Sequence, residues 1–174
     1  MKGIIVFASK YGSTAEYAFL MAQKLGTEAL RASDASSEAI SMADFIVLGS
    51  PIYAYSVLPE MEVFLEKNKK LLAEKPLAAF VVCGDSRWNP KSGEGENRNL
   101  EKLTRFLPSE PLAVVVLGGR MRMEELDEED GPKIRAFRER TGREQTGYDR
   151  MDLEKVEPWV EDIKRALGAG RGAQ

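Results

Sequence analysis

The sequence predicts an α/β protein built on a doubly wound parallel sheet, and three observations predict it. Strand-like apolar runs alternate with helical patterns along the chain, the order that repeated βαβ units impose. The runs Ile4-Ile5-Val6-Phe7 and Val114-Val115-Val116-Leu117 are unbroken, as expected of strands covered by helices on both faces. Finally, a hydroxyl-rich turn, Ser9-Lys10-Tyr11-Gly12-Ser13-Thr14, joins the first apolar run to the first helical pattern. In a sheet wound by right-handed crossovers, such turns lie at the carboxyl ends of the strands, where ligands bind.

The elements follow in order. Residues 2–8 read as the first strand. Residues 14–25 read as a helix, with Ala18, Met21, Ala22 and Leu25 along one face. A weak second strand covers 27–31, and a short helix 36–41. The third strand is 45–49. The helix over 58–72 turns Met61, Phe64, Leu65, Leu71 and Leu72 inward. Residues 77–83 form the fourth strand, and a helix over 97–106 follows a long polar loop. The fifth strand is 112–117. The last helix lies within 153–167, with Pro158 near its start.

Residues 120–150 interrupt the alternation. Their length and charge predict an inserted helical segment rather than a bare loop. It opens on the acidic run Glu124-Glu125-Leu126-Asp127-Glu128-Glu129-Asp130 and turns basic over 133–143, with Ile134 and Phe137 at helical spacing. The acidic run reads first as a solvated helix start, with a docking patch for a basic redox partner as the alternative. The chain reads as a single domain over 1–167 with a disordered tail over 168–174.

Composition narrows the function. Lys and Arg number 25 against 28 Asp and Glu, a net charge of −3, so no global field draws nucleic acid or anionic lipid. No apolar run approaches the ~20 residues that span a bilayer. Met1-Lys2 leads straight into a strand rather than a signal peptide, so the expected compartment is the cytoplasm. The one cysteine, Cys83, precludes an internal disulfide framework and reads as a buried strand-end residue. Histidine is absent. That removes histidine triads and histidine metal sites and shifts weight to a cofactor that brings its own chemistry.

The opening turn is an anion site by construction. Free backbone N–H groups at a helix start point outward, the helix dipole adds partial positive charge, and hydroxyls add donors. It lacks the GxxxxGK[ST] frame of a nucleotide triphosphate loop and the GxGxxG of a dinucleotide loop. Ser9, Ser13 and Thr14, with no committed cation, suit a single phosphate. Taken alone, the turn is equally an ordinary helix start capped by Ser13 or Thr14. Two further loops share the predicted rim. Gly49-Ser50-Pro51-Ile52-Tyr53-Ala54-Tyr55 follows the third strand, and Cys83-Gly84-Asp85-Ser86-Arg87-Trp88 follows the fourth. A phosphate turn and two loop aromatics describe a pocket for a flat phosphorylated ring. Arg120 and Arg122, just past the fifth strand, read as partners of nearby Glu and Asp or as holders of an anionic substrate.

Over nearly its whole length the chain resembles flavodoxin-like FMN proteins. Ser9, Lys10, Tyr11, Gly12, Ser13 and Thr14 match their phosphate loop. The loop of Pro51, Ile52, Tyr53 and Ala54 matches the one that carries a ring-stacking aromatic, with Tyr53 at that position. Gly84, Asp85, Ser86 and Trp88 match the other ring-flanking loop, Asp85 at the pyrimidine edge and Trp88 as the second aromatic. The resemblance implies FMN as cofactor, a five-stranded parallel sheet in the order 2-1-3-4-5 with helices on both faces, and redox chemistry. The layout of the C-terminal half is similar to flavodoxin-domain proteins of the menaquinone-dependent protoporphyrinogen dehydrogenase group. Two departures stand out. Ala54 occupies the place of a glycine whose peptide flips toward the half-reduced flavin, and a Cβ disfavours the positive-φ conformer by ~1 kcal/mol. The expectation is a lean toward two-electron chemistry. The insert is acidic at its start and lacks Trp and Tyr until Tyr148, unlike the basic, aromatic region of the dehydrogenase. The expected partner is a small organic substrate or, alternatively, a redox protein.

Overall fold

The computed structural model describes residues 1–84 and 95–170, and for residues 95–97 the backbone alone. Five parallel strands carry the fold: β1 (Gly3–Phe7), β2 (Glu28–Arg31), β3 (Phe45–Tyr53), β5 (Leu77–Cys83) and β6 (Ala113–Gly118). Their spatial order, β2-β1-β3-β5-β6, is the expected 2-1-3-4-5 of the five main strands. The two-residue strand β4 (Ser56–Val57) folds back antiparallel on β3. Between the strands run α1 (Ser13–Leu25), α2 (Ser37–Met42), α3 (Pro59–Leu72) and α4 (Gly95–Thr104).

Alternate residues of each strand feed two cores, as a period of two requires. Ile4, Val6, Ile46, Leu48, Ala79 and Val81 face one side and pack with Ile40, Met61, Phe64, Leu65 and Leu103 from α2, α3 and α4. Ile5, Phe7, Val47, Phe80 and Val82 face the other side and pack with Tyr17, Met21, Trp159 and Ile163. That second layer is α1 with α6 (Val156–Ala169). Each buried Leu, Ile or Phe side chain contributes about 1.5–3 kcal/mol. Gly49 lets the Phe80 ring lie flat on β3, where a Cβ would collide with it.

The helix ends follow local chemistry. The Ser36 hydroxyl accepts from the Ala39 amide at 3.1 Å and starts α2. Pro59 opens α3, with Glu60 and Glu62 in its first turn and Lys69 and Lys70 in its last, matching the dipole. Gly26, at φ 64, ends α1 in the left-handed region. A 3-10 turn (Leu153–Lys155) precedes α6, so Pro158 falls in the first turn of the helix proper. α6 continues through Ala169, so residues 168 and 169 are helical rather than disordered. Residues 171–174 lie outside the description.

Burial on both faces holds for β1, β3 and β5 and fails at one edge. In β6 only Val116, Leu117 and Gly118 are buried, and Val114 is 41 % exposed. β6 pairs with β5 alone, and an edge strand has half the cover of a central one. β6 is the edge strand that the order 2-1-3-4-5 predicts, but the burial on both faces that its unbroken valine run predicts does not extend to Ala113, Val114 and Val115.

The 120–150 segment is an insert with a helix, as its length predicts. It runs through β7 (Arg120–Met121), a 3-10 turn (Met123–Glu125), α5 (Asp130–Arg140) and β8 (Tyr148–Asp149). β7 and β8 pair antiparallel, Arg120 with Asp149 and Met121 with Tyr148, so the insert leaves and returns at one point. Tyr17 is the joint there. Its buried hydroxyl donates to the Gly118 carbonyl at 2.9 Å and accepts from the Asp152 amide at 2.6 Å. Burial pushes the Tyr17 hydroxyl up to about 12. Tyr17→Phe strands both backbone partners and should cost about 2–3 kcal/mol at neutral pH in urea denaturation. The pH dependence has a defined sign. A folded-state value above the unfolded one gives stability that is whole below pH ~10 and declines as pH rises through the folded value. The Phe variant should therefore lose less of its stability than the parent between pH ~10 and ~12. A parallel decline in both proteins would assign the loss to other groups.

Candidate functional site

The carboxyl ends of β1, β3 and β5 open into one cleft, and the opening turn forms one side of it. Gly12 is the N-cap of α1 at φ 94, ψ −26, in the left-handed region, and so brings no capping side chain of its own. Neither Ser13 nor Thr14 is therefore the N-cap; both lie inside the first turn of the helix. Glycine suits that φ because it has no Cβ to clash. Ser9, Ser13 and Thr14 are all buried beside it. The Ser9 hydroxyl accepts from the Ala15 amide at 3.4 Å. The Ser13 hydroxyl accepts from the Arg120 amide at 3.1 Å and so ties the turn to the start of the insert.

Lys10 behaves differently. Its ammonium pairs with Asp127 at 2.8 Å and Asp130 at 2.6 Å. Those contacts hold it well above the usual lysine value and hold the Asp127 carboxyl below its own. The Tyr11 hydroxyl also donates to Asp130, at 2.8 Å. The turn's one cation is thus committed to the insert, and an anion at the helix start meets neutral donors.

The second expected loop is largely strand. β3 runs through Ser50, Pro51, Ile52 and Tyr53, with Ser50 beside Val81 and Pro51 beside Val82 of β5. Tyr53 therefore stands at the end of a strand rather than in a loop. It is half-buried, its ring 6.0 Å from that of Tyr11 and inclined at 41°. Burial, and then the neighbouring Tyr11 and Asp130, raise its hydroxyl above the usual value.

The turn after Tyr53 corrects an expectation. The Cβ of Ala54 disfavours positive φ, yet Ala54 stands at φ 45 and Tyr55 at φ 67. The register explains it. Ile52 opposes Val57 and Tyr53 opposes Ser56, leaving a two-residue hairpin loop. Such loops match the twist of the strands as type I′ or II′ turns, and the type I′ form puts positive φ at both positions. The Cβ groups do not prevent the conformation; they strain it, by about 1 kcal/mol each. Tyr55 is 79 % exposed, with the Lys102 ammonium 5.1 Å from its ring centre. Tyr55→Gly relieves the strain at little packing cost and should raise the urea midpoint, by up to about 1 kcal/mol of stability. A lower midpoint would show that the turn is unstrained.

Of the third loop, Gly84 is described; Asp85, Ser86 and Trp88 lie outside the described residues. Cys83 is buried at the end of β5, as expected, and accepts from the Asn99 amide nitrogen at 3.4 Å. A Cβ on Gly84 would collide with the Tyr148 hydroxyl, and Arg150 donates to the Gly84 carbonyl.

The insert, which the sequence left unplaced, supplies a further wall: Ile134, Phe137, Arg138, Arg143 and Tyr148 line the same cleft as the turn and Tyr53. The spacing of Ile134 and Phe137 was the available signal, since it put two apolar residues on one face of an otherwise charged helix. Arg120 and Arg122 are spoken for: Arg120 pairs with Glu16 at 2.9 Å and Asp149 at 3.7 Å, and Arg122 with Glu125 at 2.6 Å.

A family model for the flavodoxin domain matches residues 4–147. No curated protein matches the chain. Among solved structures, it is similar to a flavodoxin from Streptococcus pneumoniae, with 18% identity over 95% of this chain and 99% of that one and a TM-score of 0.55. It is similar to oxidised Flavodoxin 1 from Bacillus cereus, with 21% identity over 79% and 94% and a TM-score of 0.51. It is also similar to rubredoxin oxygen:oxidoreductase from Desulfovibrio gigas, with 22% identity, 97% of this chain covered and a TM-score of 0.55. The chain spans 36% of that protein's length. At these identities the structures show a shared fold. A helix start at a glycine N-cap, the hydroxyls of Ser9, Ser13 and Thr14 beside it and a half-buried tyrosine fit a monophosphate joined to a flat ring. The chain belongs to the flavodoxin-domain family, and its cofactor is FMN.

Proposed function

We propose that this protein is an FMN-dependent oxidoreductase acting on a small organic substrate. The observation that carries the reading is the wall that the insert adds to the cleft. Phe137 and Tyr148 from the insert line the same cleft as Tyr53. A carrier that passes electrons to a docked protein needs its redox edge open, whereas a walled cleft admits and orients a small molecule. When bound, FMN supplies hydride and electron transfer. The chain's residues bind and orient. The amides at Gly12, Ser13 and Thr14 and the nearby hydroxyls hold the phosphate, with Ser9, Lys10 and Tyr11 shaping the turn. Tyr53 covers one ring face, flanked by Pro51, Ile52 and Ala54. Gly84, Asp85, Ser86 and Trp88 belong to the ring edge and the second face. Phe137 and Tyr148 exclude water from the substrate side.

The acidic run, which favoured a docking carrier, is largely consumed within the chain. Asp127 and Asp130 pair with Lys10, Glu125 with Arg122, and Glu129 with Lys133. Protoporphyrinogen is one candidate substrate, on the likeness of layout alone. The test is stopped-flow oxidation of the photoreduced protein, with small quinones and with a purified redox protein in separate syringes. Rapid reoxidation by quinones is expected. Exclusive reaction with the redox protein would establish the carrier instead.

A further inference from the structure

The cations around the cleft divide into two sets. On the phosphate side Lys10, Arg120 and Arg122 are each paired to carboxylates. On the insert side Arg138, Arg143 and Arg150 make no ion pair among the described residues. All three line a second cavity of about 530 Å³. It shares Gly84, Arg138, Arg143 and Tyr148 with the main cleft, so the two spaces adjoin at these residues. One carboxylate residue, Glu144, lines it as well.

Neutral groups hold the three guanidinium groups in place. Arg138 donates through Nε to the Glu144 carbonyl at 2.5 Å. Arg143 lies 5.4 Å from the Phe137 ring centre and Arg150 4.8 Å from that of Tyr148. Arg150 also donates to the Gly84 carbonyl. Stacking and carbonyl contacts fix orientation without cancelling charge. Three positive groups around one concave space repel each other and focus a positive potential into it. Guanidinium forks bind planar oxyanions in bidentate fashion. Lys10 and Arg120, the other cations that line the main cleft, are ion-paired, and among the described residues these three are not.

We propose that this pocket anchors the oxyanion of the substrate, a carboxylate or phosphate group on an organic molecule whose reacting part lies in the adjoining cleft. The inference rests on the oxidoreductase reading and names its substrate class. The anion-binding arginines are thus on the insert, at 138, 143 and 150, and not at Arg120 or Arg122.

The test uses the FMN-loaded full chain, with benzoate, phenyl phosphate and neutral benzamide as probes. Binding is read by calorimetry and by the flavin absorbance difference spectrum. Benzoate or phenyl phosphate should bind, more weakly at higher salt, and benzamide at least tenfold less well. The stronger of the two acids identifies the oxyanion. Arg143→Gln with Arg150→Gln should weaken the better probe tenfold or more, and Arg143→Lys should weaken it less. Equal binding of benzamide, or probe affinity unchanged in the double variant, overturns the proposal. Should the double variant fail to fold, the benzamide comparison on the parent protein decides alone. Quinone reoxidation of the same parent sample separates the two readings. If quinones react and the acids do not bind, the pocket is wrong and the oxidoreductase stands. If neither occurs, the oxidoreductase reading itself fails.

Discussion

Gly12→Asp is expected to weaken FMN binding by ten- to a hundredfold, while Gly12→Asn leaves it within a few-fold. The pair isolates charge from conformation. Gly12 stands at φ 94, and a Cβ there would have nothing within 4 Å, so a side chain meets backbone strain and no collision. Asn and Asp are the residues that tolerate this region best, and they do so alike. Only Asp places a negative charge beside a site meant for a phosphate. At an effective dielectric near 20 and a separation of several ångströms, that repulsion is on the order of 2 kcal/mol. The dipole of α1 works the other way on folding, because a carboxylate at a helix start stabilises the helix by about 0.3–1 kcal/mol. Binding and stability should therefore move in opposite directions in the Asp variant, judged against Asn. Gly26→Asp is the control. Gly26 lies at φ 64 at the other end of the same helix, also with open space, so it should lose stability and keep its affinity. Quenching of FMN fluorescence on titration with apoprotein gives the constants. Equal losses in the Asp and Asn variants would show that the turn does not hold the phosphate.

The fold was legible because its signals are local and periodic. Apolar runs at 3–7, 45–49 and 77–83 gave three buried strands, and the alternation of elements gave the winding. Errors arose where the outcome depended on partners. The valine run of β6 reads as covered on both faces and gives no sign that Val114 stands exposed. The length of β3 was missed for a related reason. Ser50 and Pro51 look like a turn, and only pairing with Val81 and Val82 makes them strand. Ala54 shows the same limit at one residue, since hairpin register overrides the preference of its Cβ. In the site, Ser9–Thr14 and Tyr53 stood out because one turn and one aromatic each carry a recognisable chemistry. The arginines of the insert did not, because a basic helix reads as a solvated face until its ion pairs are known.

Gly118→Ala is expected to detach the insert from the sheet and leave most of the sheet folded. Gly118 ends β6, and a Cβ there would run into the Arg150 carbonyl oxygen, with the carbonyl carbon at 2.8 Å and the Arg150 Cβ at 3.3 Å. The obstacle is backbone, so no rotamer change relieves it. One of two segments must move. The end of β6 is held by β5 through the pairs Val82–Leu117 and Cys83–Gly118, and Leu117 is fully buried. The returning strand of the insert is held by the two-residue pairing of β7 with β8, by the Arg150 amide on the Gly119 carbonyl at 3.1 Å, by the Arg150 side chain on the Gly84 carbonyl and by the Tyr17 hydroxyl on the Asp152 amide. None of the residues of β7 and β8 is buried, so the insert is the weaker side, and it should give way. Overpacking of this kind costs about 1–3 kcal/mol or more. The strain falls between the wall and the floor of the cleft, so local opening should appear first. Proteolysis between residues 120 and 150 should speed up severalfold before the sheet melts. FMN held at the opening turn should remain, because Gly12 and Thr14 are not displaced, while small acids lose the pocket built by Arg143 and Arg150. Global unfolding with no early cleavage would mean that the insert and sheet form one cooperative unit. The substrate wall would then be as stable as the fold that carries it.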